Sequence, residues 1–281
     1  DEPLLLARDA GGGNDGDKDN DAGEGGAGTL RCLSNVCTHR GNLLVQAPVR
    51  GVAGIRCGYH SRRFDLAGRM TFMPGFEGAC DFPTAADHLP ELPFGAWQGQ
   101  GFASLAPAVP LADVLAPVEA RLAGTGLVDG PEGLATWRHN PARDRAFEFD
   151  AHWALYVENY LEGLHIPFVH PGLSQAIDMA DYRYERFPWG NLQLALARPG
   201  EAAFAPAAAG APAAGQRVGA YYFWVWPNLM LNLYPWGLSV NLVLPPAPAR
   251  TRVVFRSYVR DASLLGSGAG GALDPVEMED E

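Results

Sequence analysis

Two short segments of this 281-residue chain each pair one cysteine with one histidine: Cys37-Thr-His39 and, after seventeen intervening residues, Cys57-Gly-Tyr-His60. Each segment offers one thiolate and one imidazole. Two irons bridged by sulfide need two protein ligands each; two thiolates suit the iron that stays ferric, and two neutral imidazoles raise the potential of the iron that takes up the electron. The spacing therefore predicts a 2Fe-2S cluster held by Cys37, His39, Cys57 and His60. A structural zinc also takes two cysteines and two histidines, but such sites usually pair like with like, and each segment here mixes the two types. Zinc, or four unligated core residues, is the competing reading.

The flanking residues extend the pattern. Asn35-Val-Cys-Thr-His-Arg-Gly41 and Cys57-Gly-Tyr-His-Ser-Arg-Arg-Phe-Asp65 resemble the cluster loops of Rieske non-heme iron oxygenases, the terminal-oxygenase alpha subunits of the aromatic-ring-hydroxylating dioxygenase and choline monooxygenase-like family. The motif covers a small part of the chain but is highly specific.

A second constellation follows. The segment from His152 to His165 reads as a helix with Asp150 as its N-cap, and Asn159, Glu162 and His165 recur along one face, where a core stripe would carry leucines. Pro167 ends or kinks that helix, which lets His170 return beside His165. Two buried core histidines are the bland alternative. In the resembled family this segment is the mononuclear iron site, so the resemblance implies His165 and His170 as iron ligands, with Asp280 as the third and Asp274 or Glu277 as alternates. Two histidines and a carboxylate on one face of an octahedron leave positions open for dioxygen and substrate. Glu162, joined by Asn159 as a candidate catalytic residue, stands where the family places the carboxylate that links the two metal centres. Glu rather than Asp there resembles the branch acting on quaternary ammonium compounds.

Elements must position these groups. Residues 3–8 read as a strand that opens without the strands that precede it in the family, so the chain looks cut at its start; the acidic C-terminal stretch, ending where the family continues into a long helix, looks cut as well. Residues 9–29 are Gly, Asp, Asn and Ala with almost nothing to bury, and are expected to be a disordered acidic insertion; an Asp-x-Asp calcium loop is the alternative, without the closing Glu of an EF-hand. From Leu30 to Met73 short apolar runs alternate with turns, a small antiparallel sheet carrying the cluster on two loops, with Gly41 and Gly58 letting the loops approach the sulfurs. The expected division is a Rieske domain over 1–106, a proline-spaced linker over 107–117, and a catalytic domain over 118–281 that is C-terminally incomplete. In it Phe147–Phe149, residues 192–198 and residues 217–258 read as strands. The fold class is α+β, the second domain implied by the resemblance to be a helix-grip (START-like) fold with an antiparallel sheet around a deep pocket. Tyr222, Trp224, Trp226 and Tyr234 are candidates for its lining, and the Ala- and Pro-rich run at 201–214 for a loop at its mouth.

The net charge of −11 argues against nucleic acid, since no basic stripe is present to neutralise phosphate. Much of that charge is local to 9–24 and 274–281, which weakens any long-range steering. No apolar run approaches the roughly 20 residues of a membrane span, and the start lacks a basic, then apolar, signal peptide. Cys32 and Cys80 read as free thiols, in keeping with a cytoplasmic location.

The resemblance implies a terminal oxygenase. An NAD(P)H-dependent reductase or ferredoxin would reduce the cluster, electrons would reach the mononuclear Fe(II) of a neighbouring subunit in a homotrimer, and dioxygen would hydroxylate a small aromatic compound or quaternary amine. The alternatives are an electron carrier with a non-catalytic second domain and an inactive oxygenase fragment.

Overall fold

The computed structural model describes residues 2–9 and 28–271. The expected disordered insertion lies almost wholly outside these residues, as do Asp274, Glu277 and Asp280. The chain divides into two compact units, Asp1–Ala96 with Gly101–Ala108, and Trp97–Gln100 with Val109–Glu281.

In the first unit β1 (Leu4–Arg8) pairs antiparallel with β2 (Leu30–Ser34). Two-residue strands β3 (Ile55–Arg56) and β4 (Arg63–Phe64) form a second sheet with β5 (Met70–Phe72). A further strand, β6 (Glu91–Leu92), extends the first sheet on β2, and β7 (Phe94–Trp97) pairs with β8 (Gln100–Ala103). Leu33, Phe64, Met70 and Leu89 pack into one core with Cys37 and Cys57. The two cysteines thus sit on the inner ends of their loops, shielded from water.

The second unit begins with a helix, α1 (Leu111–Leu122), where the sequence reading has a linker through Pro117. Leu115, Val118 and Leu122 recur at helical spacing and are buried, so burial of that stripe outweighs the interior proline. Among the described residues an antiparallel sheet of eight strands follows. It contains β9 (Arg138–His139), β10 (Arg145–Phe149), β11 (Arg183–Phe187), β12 (Gly190–Leu196), β13 (Val218–Val225), β14 (Leu229–Tyr234), β15 (Gly237–Ala247) and β16 (Arg250–Val259). Their order is β10-β16-β15-β14-β13-β12-β11, with β9 beside β16. Helix α2 (Trp153–Tyr160) lays Val157 on Met230, Val243, Val253 and Phe255, and full burial of such a side chain is worth about 1.5–3 kcal/mol. Two short helices, α3 (Ile166–Val169) and α4 (Pro171–Ala176), pack Ile166 and Leu173 against Ala195, Ala220 and Trp236.

Helix α2 differs from the sequence reading at both ends. Its N-cap is His152, whose Nδ1 accepts the Ala154 N–H at 3.2 Å, rather than Asp150. It stops at Tyr160 rather than running to His165, because the groups that would continue it are otherwise engaged. The Gln193 carboxamide donates to the Tyr160 carbonyl, and the Leu164 N–H, which would have bonded that carbonyl, donates to the Glu162 carboxylate. The Ala- and Pro-rich run packs Phe204 on Tyr221, and its Ala208 N–H bonds the Gly124 carbonyl at 2.8 Å.

Candidate metal centres

The two cysteine loops are copies of one backbone design. In the first, the Cys37 N–H donates to the Asn42 carbonyl and the Gly41 N–H to the Cys37 carbonyl, at 2.8 and 3.0 Å. In the second, the Cys57 N–H donates to the Arg62 carbonyl and the Ser61 N–H to the Cys57 carbonyl, at 2.8 and 3.1 Å. Gly41 and Ser61 occupy matching positions, both left-handed, with φ of 68° and 58°. The sequence reading paired Gly41 with Gly58; Ser61 is the actual counterpart, held by its Oγ, which accepts from the Arg56 guanidinium at 2.8 Å.

These loops bring the four sequence-predicted ligands together. The His39 and His60 rings stand edge to face with centroids 4.7 Å apart, and the Nδ1 atoms of both are buried with no hydrogen-bond partner. Orphaned buried nitrogens are costly unless something completes them, so the two imidazoles fit a metal cluster with Nδ1 as the ligating atoms. Burial opposes ionisation of Cys57, but the Tyr59 and His60 backbone N–H groups outweigh it and hold this thiol below its ordinary range. Burial pushes its neighbour Cys37 up. Among the described residues no three His, Cys, Asp or Glu side chains converge on a single metal position.

A residue that motif reasoning passed over ties the loops together. Arg62, buried behind the second loop, donates to Thr38 Oγ1 of the first at 2.8 Å and pairs with Asp87 at 3.2 Å. Hydrogen bonds from Thr84 and the Arg62 charge hold the Asp87 carboxyl below its usual range. The signal was present as the consecutive arginines Arg62 and Arg63 in a loop that needs only one exposed.

In the second unit the turn after α2 supplies Glu162, and the short helix α3 is bounded by His165 and His170. The two imidazoles meet edge to face, centroids 5.1 Å apart, and His170 is fully shielded. Glu162 accepts at its Oε1 from His165 Nδ1. Burial resists ionisation of that carboxyl, yet the bonds from His165 and Leu164 hold it below its ordinary range. The bond fixes the tautomer of His165, and a carboxylate behind the ring in this way is the usual arrangement of a metal-bound histidine. Asn159, Glu162, His165 and His170 all line one cavity. Asp280 lies outside the described residues.

Three residues of a polar row across the sheet, Gln193, Tyr222 and Asn232, line that cavity. Strand register sets Gln193 opposite Tyr222, Tyr222 opposite Asn232, Asn232 opposite Ser239, and Ser239 opposite Ser257. All five are buried. The Tyr160 hydroxyl reaches this row at Asn232, 2.6 Å away, and the Tyr182 hydroxyl reaches it at Gln193, 3.2 Å away. Of the aromatic residues named from sequence, Tyr222 and Tyr234 line the cavity, while Trp224 and Trp226 line a separate groove. Tyr160, Gln193 and Asn232 escaped the sequence reading. Gln193 and Asn232 interrupt otherwise apolar strands, and a polar residue inside such a run is the signal that could have found them.

Residues 134–279 match the family model described as the ring hydroxylating alpha subunit (catalytic domain), and residues 2–85 match that of the Rieske [2Fe-2S] domain. The chain is 28% identical over 280 residues to the chloroplastic choline monooxygenase of Arabidopsis thaliana, covering 90% of this chain and 60% of that one. It is 29% identical over 211 residues to a carnitine monooxygenase oxygenase subunit of Escherichia coli K12, covering 73% and 52%. The chain thus spans little more than half the length of these relatives. In fold it resembles a quaternary ammonium Rieske monooxygenase of solved structure, with a TM-score of 0.67 at 22% identity over 89% of this chain and 66% of that one.

Proposed function

The chain belongs to the ring-hydroxylating alpha-subunit family, with a Rieske domain ahead of the catalytic part, and on that premise we propose that it acts as the terminal component of a Rieske oxygenase. The family's cofactors are a Rieske 2Fe-2S cluster and a mononuclear iron. Cys37, His39, Cys57 and His60 hold the cluster; His165 and His170, with a carboxylate from Asp280, hold the iron. Bound there, the two centres supply single electrons and the activation of dioxygen. The protein's own part is positional. Glu162 orients His165, the cavity holds the substrate beside the two histidines, and the polar row fixes its far end. An NAD(P)H-dependent reductase or ferredoxin donates the electrons, the assembly is a homotrimer, and the location is cytoplasmic. The substrate is a small organic molecule, and the likeness to choline and carnitine monooxygenases favours a quaternary amine over a flat aromatic compound. No helix among the described residues is long and apolar enough to cross a membrane.

The observation that carries this reading is the Glu162–His165 bond beside His170 at the wall of a tyrosine-lined cavity. Iron and acid-labile sulfide, measured on anaerobically reconstituted protein with an EPR spectrum after dithionite reduction, test it. About three irons and two sulfides per chain are expected, with one iron lost in His165→Ala and the Rieske signal kept. Two irons per wild-type chain would leave an electron carrier or an inactive fragment instead.

A further inference from the structure

The chemistry of the cavity divides small organic cations into two groups. Its rings, among them Tyr160, Tyr182, Tyr222, Tyr234 and Phe255, surround the space beside the two histidines, and among the described residues that line it there is no Lys or Arg. Ring faces attract an ammonium group by about 2 kcal/mol or more once it is desolvated. A carboxylate entering the same space would be stripped of water with no cationic side chain to receive it, and a buried unpaired charge is among the most costly arrangements in a protein.

The residues of the polar row that line the cavity, Gln193, Tyr222 and Asn232, are neutral. Tyr160 and Tyr182 direct their hydroxyls to Asn232 and Gln193. Tyr222, beside Gln193 in the polar row, has its hydroxyl buried without a hydrogen bond of good geometry, the Tyr234 hydroxyl being its neighbour. A phenol can both donate and accept, so this hydroxyl keeps bonding capacity that suits the uncharged hydroxyl of a substrate. It has no charge with which to meet a carboxylate.

We propose that this cavity takes a small organic cation whose other end is an uncharged hydroxyl, that it discriminates against zwitterions bearing a carboxylate, and that Tyr222 is the residue that reads the hydroxyl. The inference rests on the oxygenase reading above and narrows it.

Calorimetric titration of the reconstituted protein tests it with four probes: choline, tetramethylammonium, glycine betaine, and 3,3-dimethylbutan-1-ol, the uncharged isostere of choline. Choline and tetramethylammonium are expected to bind, with betaine and the neutral alcohol at least about tenfold weaker than choline. In Tyr222→Phe the affinity for choline is expected to fall by about tenfold, the worth of one hydrogen bond, while that for tetramethylammonium holds and reports that the cavity is intact. The proposal is overturned by betaine binding as tightly as choline, by the neutral alcohol doing so, by Tyr222→Phe weakening both cations alike or neither, or by no cation binding. Iron and sulfide counted on the same sample keep the two readings apart. A full iron complement without this discrimination removes the inference alone, and a missing third iron removes the oxygenase reading.

Discussion

The hydroxyl of Tyr184 accepts the backbone N–H of Gly163 at 3.0 Å, and this bond ties the turn that carries Glu162 to the edge strand β11. A Cβ built on Gly163 would lie 2.8 Å from a ring carbon of Tyr182 and 2.9 Å from the Tyr184 oxygen. The turn therefore fits against two tyrosine rings only because residue 163 has no side chain.

Gly163→Ala is expected to destabilise the protein by about 1–3 kcal/mol through overpacking. Tyr184→Phe, which removes only the acceptor, should cost about 1 kcal/mol. Chemical denaturation of both variants checks the order, and an alanine variant as stable as wild type would show that the rings yield.

Arg62 joins the two cluster loops through Thr38 and Asp87. Arg62→Leu removes the Asp87 carboxylate's ion pair while its Thr84 hydrogen bonds remain, and takes the donor from Thr38 Oγ1; the cost is expected to be about 1–3 kcal/mol. The cluster absorbance of this variant should decay faster in air than that of wild type. Unchanged decay would mean that the loops hold their geometry without the arginine.

Gly41 has a φ of 68° and open space around its Cα. Gly41→Ala should therefore cost only backbone strain, about 1–2 kcal/mol, with cluster loading retained. Complete loss of the cluster on this substitution would place a steric limit where the structure shows none.

Asp144 binds the Arg256 guanidinium at 2.5 Å, the Ser257 N–H at 3.2 Å and His139 Nε2 at 2.9 Å. Its burial opposes ionisation, but these three partners prevail and hold the carboxyl below its usual range. A depressed folded-state pKa adds stability that is present above the unfolded value of about 3.9 and is lost as pH falls through the folded value. The stability gap between wild type and Asp144→Asn should therefore be full near neutrality and close on acidification below about pH 4. A gap that stays constant to low pH would show that the ionised form is not what the network binds.

Both histidine pairs could be read from the sequence because the paired residues are close along the chain. In Cys37-Thr-His39 and Cys57-Gly-Tyr-His60 a few residues fix the cysteine and histidine of each loop near one another. Likewise, the four residues between His165 and His170 are few enough that one helical turn decides their separation. Helix α1 was hidden because Pro107, Pro110 and Pro117 read as punctuation, whereas burial of Leu115, Val118 and Leu122 decided the outcome.

The sequence by itself determined which residues could ligate metal, since ligand type and short spacing are local properties of the chain. Only the tertiary structure decided what surrounds them. Gln193, Tyr222, Asn232, Ser239 and Ser257 come from five strands, and a slip of one residue in any strand would turn its member to the opposite face. Their alignment is a consequence of register, and register is set by the packing of the whole sheet.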